Sequence, residues 1–401
     1  MLEYSINLWS VMGLPLKMRV SESDLSVILG VTLSSLFLVI GDWNLNPRRR
    51  ILSGLALCIG LVGLVSAGDA FSWVLCSQLS FVAVLVLNRD HFGADSSRIF
   101  WVVLPQFFGE TLLLIMFVFF ASLHHQEFGY FSMAFESLAK VHFQEAQSIS
   151  LFIVGLMGLA LRCGIFPFHS WVVHAFNRGE GKLPLPFMLY SLVLVYSGVK
   201  FFPGFFPDEF SAFRVALHGI LGFGVLYGLI SFVKQASHYS VWVPIVCLCF
   251  VFQFLVLVGC GDMNPKGFSL LILSLMVSAA LLWVLDRRLK QVAHKPLIYN
   301  GSILYLRIFA YCGLVGFPGT VGHQAYKSIA LSESASLIGE GGLVIWIGLV
   351  SVLILGTFLA SPSCTGHVKG SGDEKELSQV SLWVVASMFV GFNFAVLFLN
   401  L

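Results

Sequence analysis

Residues 161–200 read LRCGIFPFHSWVVHAFNRGEGKLPLPFMLYSLVLVYSGVK, and the reading of this stretch decides the fold. It sets a guanidinium, Arg162, inside an apolar helical pattern and interrupts the pattern at Pro167, with His169, Ser170 and Trp171 at the break. Proline lacks a backbone donor and its ring collides with the preceding turn, so a helix kinks or ends there. A second apolar segment follows, entered through Pro184 and Pro186 and carrying Lys200 toward its end. A cation beside a broken helix is costly in hydrocarbon, and a site of that kind inside a membrane span reads as functional.

Composition says that the surroundings are hydrocarbon. Hydrophobic residues make up 57% of the 401 and charged ones 11%, whereas soluble domains carry roughly 25% charge. Apolar runs fall at 25–42, 51–67, 71–88, 99–122, 148–167, 187–202, 212–233, 241–259, 267–285, 302–320, 343–361 and 380–400. Most have the length that about 30 Å of hydrocarbon asks of a helix. The chain is therefore expected to be an all-α polytopic membrane protein with about twelve transmembrane helices.

The loops between these runs alternate in charge. Arg48, Arg49 and Arg50, Arg89 and Arg98, Arg178 and Lys182, Lys234, Arg287, Arg288, Lys290 and Lys295, then Lys369 and Lys375 fall on one side. The opposite loops are poorer in basic residues and hold Glu127, Glu136, Glu145, Asp208, Glu209 and Asp262. The positive-inside rule puts both ends of the chain on the outer face. The run from Leu25 ends in Gly41-Asp42-Trp43 rather than in a small-residue cleavage site, so it reads as a span and not as a cleaved signal.

Several function classes drop out. A net charge of +2 gives no electrostatic footprint for nucleic acid. The eight cysteines, at 58, 76, 163, 247, 249, 260, 312 and 364, lack CxxC spacing and read as small packing residues rather than metal ligands or disulfides. His124-His125 has no acidic or Cys companion at ligand spacing and reads as a solvated loop. No Gly-rich phosphate loop or Ser/His/Asp arrangement appears, so neither a bound nucleotide nor enzymatic chemistry is expected in this chain.

The segment Arg162-Cys-Gly-Ile-Phe-Pro-Phe-His-Ser-Trp171 resembles the signature of the antiporter-like membrane subunit family. That family includes the large proton-pumping membrane subunits of respiratory complex I, Mrp-type cation/proton antiporter subunits, and membrane subunits of related hydrogenases and inorganic-carbon uptake systems. Its broken helix carries a Lys seven residues before the His of a PFHxW-like element, and here Arg162 stands seven before His169. Residues 71–81, FSWVLCSQLSF, resemble the family helix that begins with a Trp-Glu pair, and 98–113 resemble the next, whose Gly-acid pair is Gly109 and Glu110. Residues 313–327, GLVGFPGTVGHQAYK, resemble the second broken helix, with Lys327 nine residues after Pro318.

The resemblance implies two five-helix repeats of inverted topology, 51–202 and 212–361, each with one discontinuous helix, broken at Pro167 and Pro318. They are flanked by 1–50, with the first transmembrane helix, and by 362–401, an inner loop and the last helix. It implies a proton path through Glu110, Arg162, His169, Lys200, Arg307, His323 and Lys327. Five of these have a plainer reading beside them: Arg162 as a fixed counter-charge, Glu110 as a bond to a neighbouring helix, His169 as a cap on freed backbone, Lys200 and Lys327 as snorkelling residues.

Departures from the pattern set limits. Val74 stands where the family has Glu, so the carboxylate that would pair with the broken-helix cation is expected to be missing; Leu192 and Tyr196 stand where the family has Lys or His, and the 267–285 helix lacks its His and Lys. The implied function is therefore a non-catalytic subunit of a complex I-type NADH:quinone oxidoreductase, contributing to proton translocation or, with carriers lost, mainly to scaffolding. Nucleotide, flavin, iron–sulfur clusters and ubiquinone would belong to other subunits, and this chain would hold no cofactor or metal. Its partners would be other membrane subunits and lipids, in a bacterial or mitochondrial inner membrane. The alternatives are a proton-coupling subunit of an inorganic-carbon uptake complex or Mrp-type antiporter and, more remotely, an unrelated transporter binding its own solute.

Overall fold

In hydrocarbon, backbone groups have only one another to bond, which makes the helix the default for each apolar run. The computed structural model describes residues 2–4, 18–41, 47–88, 96–142, 144–176, 185–234, 239–261 and 265–292. Helices α1 (Glu22–Gly41), α2 (Pro47–Ser66), α3 (Ala70–Leu87) and α4 (Ser96–Phe128) come first. The short α5 (Phe135–Leu138) precedes α6 (Glu145–Cys163), α7 (Ser170–Phe176) and α8 (Leu185–Gly198). After the short α9 (Phe202–Phe205) come α10 (Pro207–Lys234), α11 (Tyr239–Gly259) and α12 (Pro265–Val292). Six helical stretches among these residues are long and apolar enough to cross a membrane, with shorter apolar helices at Ile51–Ser66, Pro244–Gly259 and Pro265–Ala280. The fold is thus mostly helical and membrane-spanning.

The helix α8 organises the bundle. All fourteen of its residues are buried, and it packs against α1, α2, α3, α6, α11 and α12. The outward faces of α1 and α4 carry Leu25, Leu29, Phe100, Phe107, Ile115 and Val118, exposed as lipid-facing surface is. At the end of the bundle where α1 begins, β1 (Leu2–Tyr4) pairs antiparallel with β2 (Met18–Val20), Glu3 opposite Arg19. Isolated bridges Met18–Ala67 and Asp69–Ala134 tie this ribbon and the α5 loop to the α2–α3 turn.

Two sequence expectations change in detail. The break in the signature helix is set by Gly164 and not by Pro167: α6 ends at Cys163, and Gly164 takes the left-handed conformation with φ +65°. Glycine pays no Cβ penalty there, and a proline soon afterwards keeps the helix from resuming. The His124-His125 pair is helical rather than looped, because α4 continues to Phe128. His124 is 1% exposed and its Nδ1 lies 3.0 Å from the Tyr130 carbonyl. Arg307, His323, Lys327 and Pro318, and the spans beyond 292, lie outside the described residues.

Candidate functional site

A helix that stops inside a membrane leaves its last carbonyls without partners. At the end of α6 each of three finds one. Ala160 O accepts from Ile165 N at 3.1 Å, and Leu161 O from Gly164 N at 3.3 Å and Trp171 Nε1 at 3.0 Å. Arg162 O accepts from Gln106 Nε2 at 2.6 Å. The Trp of the signature is therefore part of the helix cap, and Gln106 of α4 anchors the backbone of the residue that carries the charge.

The Arg162 side chain is 0% exposed and pairs with Glu110 of α4 through Nη1. Its other donors reach Ser77 Oγ of α3 at 3.2 Å, Gln106 Oε1 at 3.4 Å and the Tyr190 hydroxyl of α8. Tyr190 in turn donates to Gln106 Oε1 at 3.2 Å. The rings of Trp73 and Tyr190 flank the guanidinium, at 5.7 and 5.8 Å from Cζ, which adds cation–π attraction in a dry setting. The planar fork of Arg suits this arrangement, because it presents several donors in fixed directions at once.

Glu110 reaches Arg162 because the helices nearly touch. A Cβ on Gly109 would lie 2.6 Å from Arg162 Cγ and 2.7 Å from the Gly158 carbonyl, and one on Gly158 2.9 Å from the Gly109 carbonyl. Paired glycines at this crossing let α4 and α6 approach backbone to backbone, as small residues do between membrane helices. The carboxylate absent at Val74 is thus supplied by α4, and Ser77, one turn along α3 from Val74, meets the cation instead. The expectation that the broken-helix cation lacks a carboxylate is corrected.

A second pair lies just past the end of α8, where Tyr196, six residues or ~9 Å of helix rise beyond Tyr190, bonds to one of its members. Lys200 Nζ donates to Asp24 Oδ2 of α1 at 3.0 Å, to Arg19 O at 3.3 Å and to Val65 O. Tyr196 donates to Asp24 Oδ1 at 3.0 Å, and Ser21 N to Oδ2 at 2.7 Å. Asp24 is 2% exposed. Lys200 therefore has a charge partner, which the snorkelling alternative did not foresee. This pair borders a cavity of about 570 Å³ whose lining includes Arg19, Glu136, Phe201 and Gly204, with Arg19 and Glu136 forming an ion pair of their own.

His169 is buried but faces other groups: its ring stacks on Phe166 at 5.4 Å and tilts against Tyr227 of α10 at 5.3 Å. So the structure joins Glu110 with Arg162, gives Lys200 a partner, and sets His169 in an aromatic niche at the break. Gln106, Tyr190, Tyr196 and Asp24 are the participants that sequence reasoning missed. Gln106 carried a signal, since it stands four residues before Glu110 and shares its helix face. Asp24 carried little, lying just ahead of an apolar run where polar residues are ordinary. No group of three or more metal-ligating side chains occurs among the described residues.

The fold has solved counterparts. A chain of respiratory complex I from Thermus thermophilus with bound NADH superposes with a TM-score of 0.73 at 18% identity, covering 95% of this chain and 84% of that one. A chain of the membrane-bound sulfane sulfur reductase, an archaeal respiratory membrane complex, gives 0.68 at 15% identity over 98% and 67%. One from the Mrp complex of Dietzia sp. gives 0.70 at 14% identity over 92% and 70%. Among curated proteins, NAD(P)H-quinone oxidoreductase chain 4 2 of Thermosynechococcus vestitus is 23% identical over 231 residues. That match takes in 56% of this chain and 42% of the relative, less than half its length. No family model matches the chain. In fold, the chain is similar to these chains of respiratory complex I, the sulfane sulfur reductase and the Mrp complex.

Proposed function

We propose that this chain is an antiporter-like membrane subunit of a complex I-type NADH:quinone oxidoreductase, and that it takes part in proton translocation. The observation that carries the reading is the buried Glu110–Arg162 pair at the broken helix, held by Ser77, Gln106 and Tyr190. A guanidinium holds its proton far more tightly than an ammonium does. In this chain Arg162 is accordingly the fixed charge and Glu110 the group that gains and loses a proton. A shift of charge along the membrane plane changes the field at Glu110 and with it the proton's preference.

The rest of the architecture follows the same reading: about twelve helices, in inverted repeats over 51–202 and 212–361 between flanking segments 1–50 and 362–401. Arg307, His323 and Lys327, with the break at Pro318, continue the path in the second repeat, and His169 and Lys200 belong to the first. Redox groups, nucleotide and quinone reside in partner subunits, in a bacterial or mitochondrial inner membrane. Val74 and the 267–285 helix, bare of His and Lys, remain the features that favour a scaffold.

The test is the proton-to-electron ratio of the native complex in liposomes. Glu110→Gln, Arg162→Ala and Lys327→Ala are each expected to lower it by this subunit's share while electrons still flow. A ratio unchanged in all three removes the pumping reading and leaves the scaffold. Purifying the complex tests the host: flavin and iron–sulfur subunits are expected with it, whereas a zinc-containing soluble partner assigns the chain to carbon uptake, and further antiporter subunits without redox groups assign it to an Mrp-type assembly.

A further inference from the structure

The two ion pairs are separated by a thin aromatic partition. Phe201, in the cavity wall, meets Trp73 edge-on at 5.6 Å between centroids, and the Trp73 ring lies 5.7 Å from Arg162 Cζ. Two aromatic side chains thus stand between the cavity and the central cation. Trp73 is 0% exposed, and its Nε1 donates at 2.9 Å to Ser197 Oγ, next in sequence to Tyr196. It touches the setting of both pairs. The segments lining the cavity, 18–24, 67–68, 134–139 and 200–205, all belong to the face that loop charge assigns to the outside.

We propose that Asp24 and Lys200 form a second proton-exchange site, open to the outer face through this cavity, with Trp73 as the partition between it and the Glu110–Arg162 pair. The proposal rests on the proton-translocation reading above. The charged and titratable groups around the site are Arg19 of β2, paired with Glu136, Tyr196 of α8, Asp69 at the start of α3, and Glu22 of α1, paired with Lys266 of α12. In the proposed cycle Glu110 releases one proton, water admitted when the Trp73 ring turns aside carries it past the partition, and the Asp24 carboxylate accepts it. Lys200 then keeps its contacts to the Arg19 and Val65 carbonyls without its counter-charge. The acid returns the same proton to water in the cavity, and the pair closes with charge unchanged over the cycle.

A different role for the same contacts is a clamp that holds the β ribbon on the bundle, and the proton-to-electron ratio of the reconstituted native complex separates the two. Asp24→Asn is expected to remove this subunit's share of translocated protons while quinone reduction continues, and Asp24→Glu to recover part of it. Glu110→Gln, measured alongside, is the control for the underlying reading. If Glu110→Gln lowers the ratio and Asp24→Asn does not, the outer site is overturned and the reading stands. If Glu110→Gln also leaves the ratio unchanged, both go.

Should Asp24→Asn fail to assemble, Gly204→Cys decides. A Cβ there meets only Ala139 Cβ, at 3.6 Å, an ordinary contact. A membrane-impermeant sulfonated maleimide is expected to label it from the outer side and to lower the ratio relative to the unlabelled variant. Labelling from the inner side alone, or a labelled complex with an unchanged ratio, overturns the proposal.

Discussion

The Glu110–Arg162 pair meets α8 at Tyr190, the lower site, the Asp24–Lys200 pair meets it at Tyr196, the upper site, and the two differ in cation and in surroundings. At the lower site the fork of Arg162 is 0% exposed and shared among Glu110, Ser77, Gln106 and Tyr190, which come from three helices. At the upper site the ammonium of Lys200 is 19% exposed, leans partly on backbone carbonyls and borders a cavity. An Arg so held has nowhere else to turn. A Lys on a flexible stem beside an aqueous space has an alternative partner, which is water. The contrast teaches that a buried charge is fixed or mobile according to how many of its donors are already satisfied by protein.

Four perturbations test that contrast. The largest effect is expected from Glu110→Ala, which strands a buried guanidinium at a cost of about 3–5 kcal/mol. The double variant Glu110→Leu with Arg162→Met regains most of it, because an apolar pair leaves no charge uncompensated. Unfolding of the purified chain in mixed micelles measures both, and a double variant as unstable as the single one breaks the account. Next comes Gly109→Val, which forces α4 from α6 at the point where they cross and costs up to about 3 kcal/mol. Its specific sign is loss of the pair, read as an Arg162→Met change that costs less in that background than in the native one, or stabilises it.

Asp24→Ala is expected to cost less, about 1.5 kcal/mol, the low end for hydrogen bonds to a charged group, since Lys200 turns to water in the cavity. A loss as large as that of Glu110→Ala erases the difference between the sites. Smallest is Glu22→Gln. This carboxylate and Lys266 pair at 3.0 Å with side chains 77% and 67% exposed, and a surface pair of that kind contributes little. The unfolding midpoint is expected to stay within error.

The membrane fold was legible because apolar run length depends on local sequence alone, and every run from 25–42 to 267–285 has a helix over it. The charge of Arg162 was legible for the same reason: one cation in such a run stands out. Its partner was not, because Val74 pointed to a missing carboxylate, while the one that serves comes from another helix through a Gly–Gly crossing that depends on three-dimensional approach. The break was misplaced by three residues because Pro167 is the louder signal, although the left-handed Gly164 ends the helix. The Asp24–Lys200 pair, 176 residues apart in sequence, was beyond any local pattern.

The complete burial of α8 has a consequence for biogenesis. A segment entering the bilayer from the ribosome meets lipid first, where the hydroxyls of Tyr190 and Tyr196 have no partner. Chain order shortens that interval: α1, α2, α3, α4 and α6, which hold Asp24, Trp73, Ser77, Gln106, Glu110 and Arg162, are all synthesised before α8. The slot and its polar lining are ready when the helix that fills it arrives, and α11 and α12 close over it afterwards.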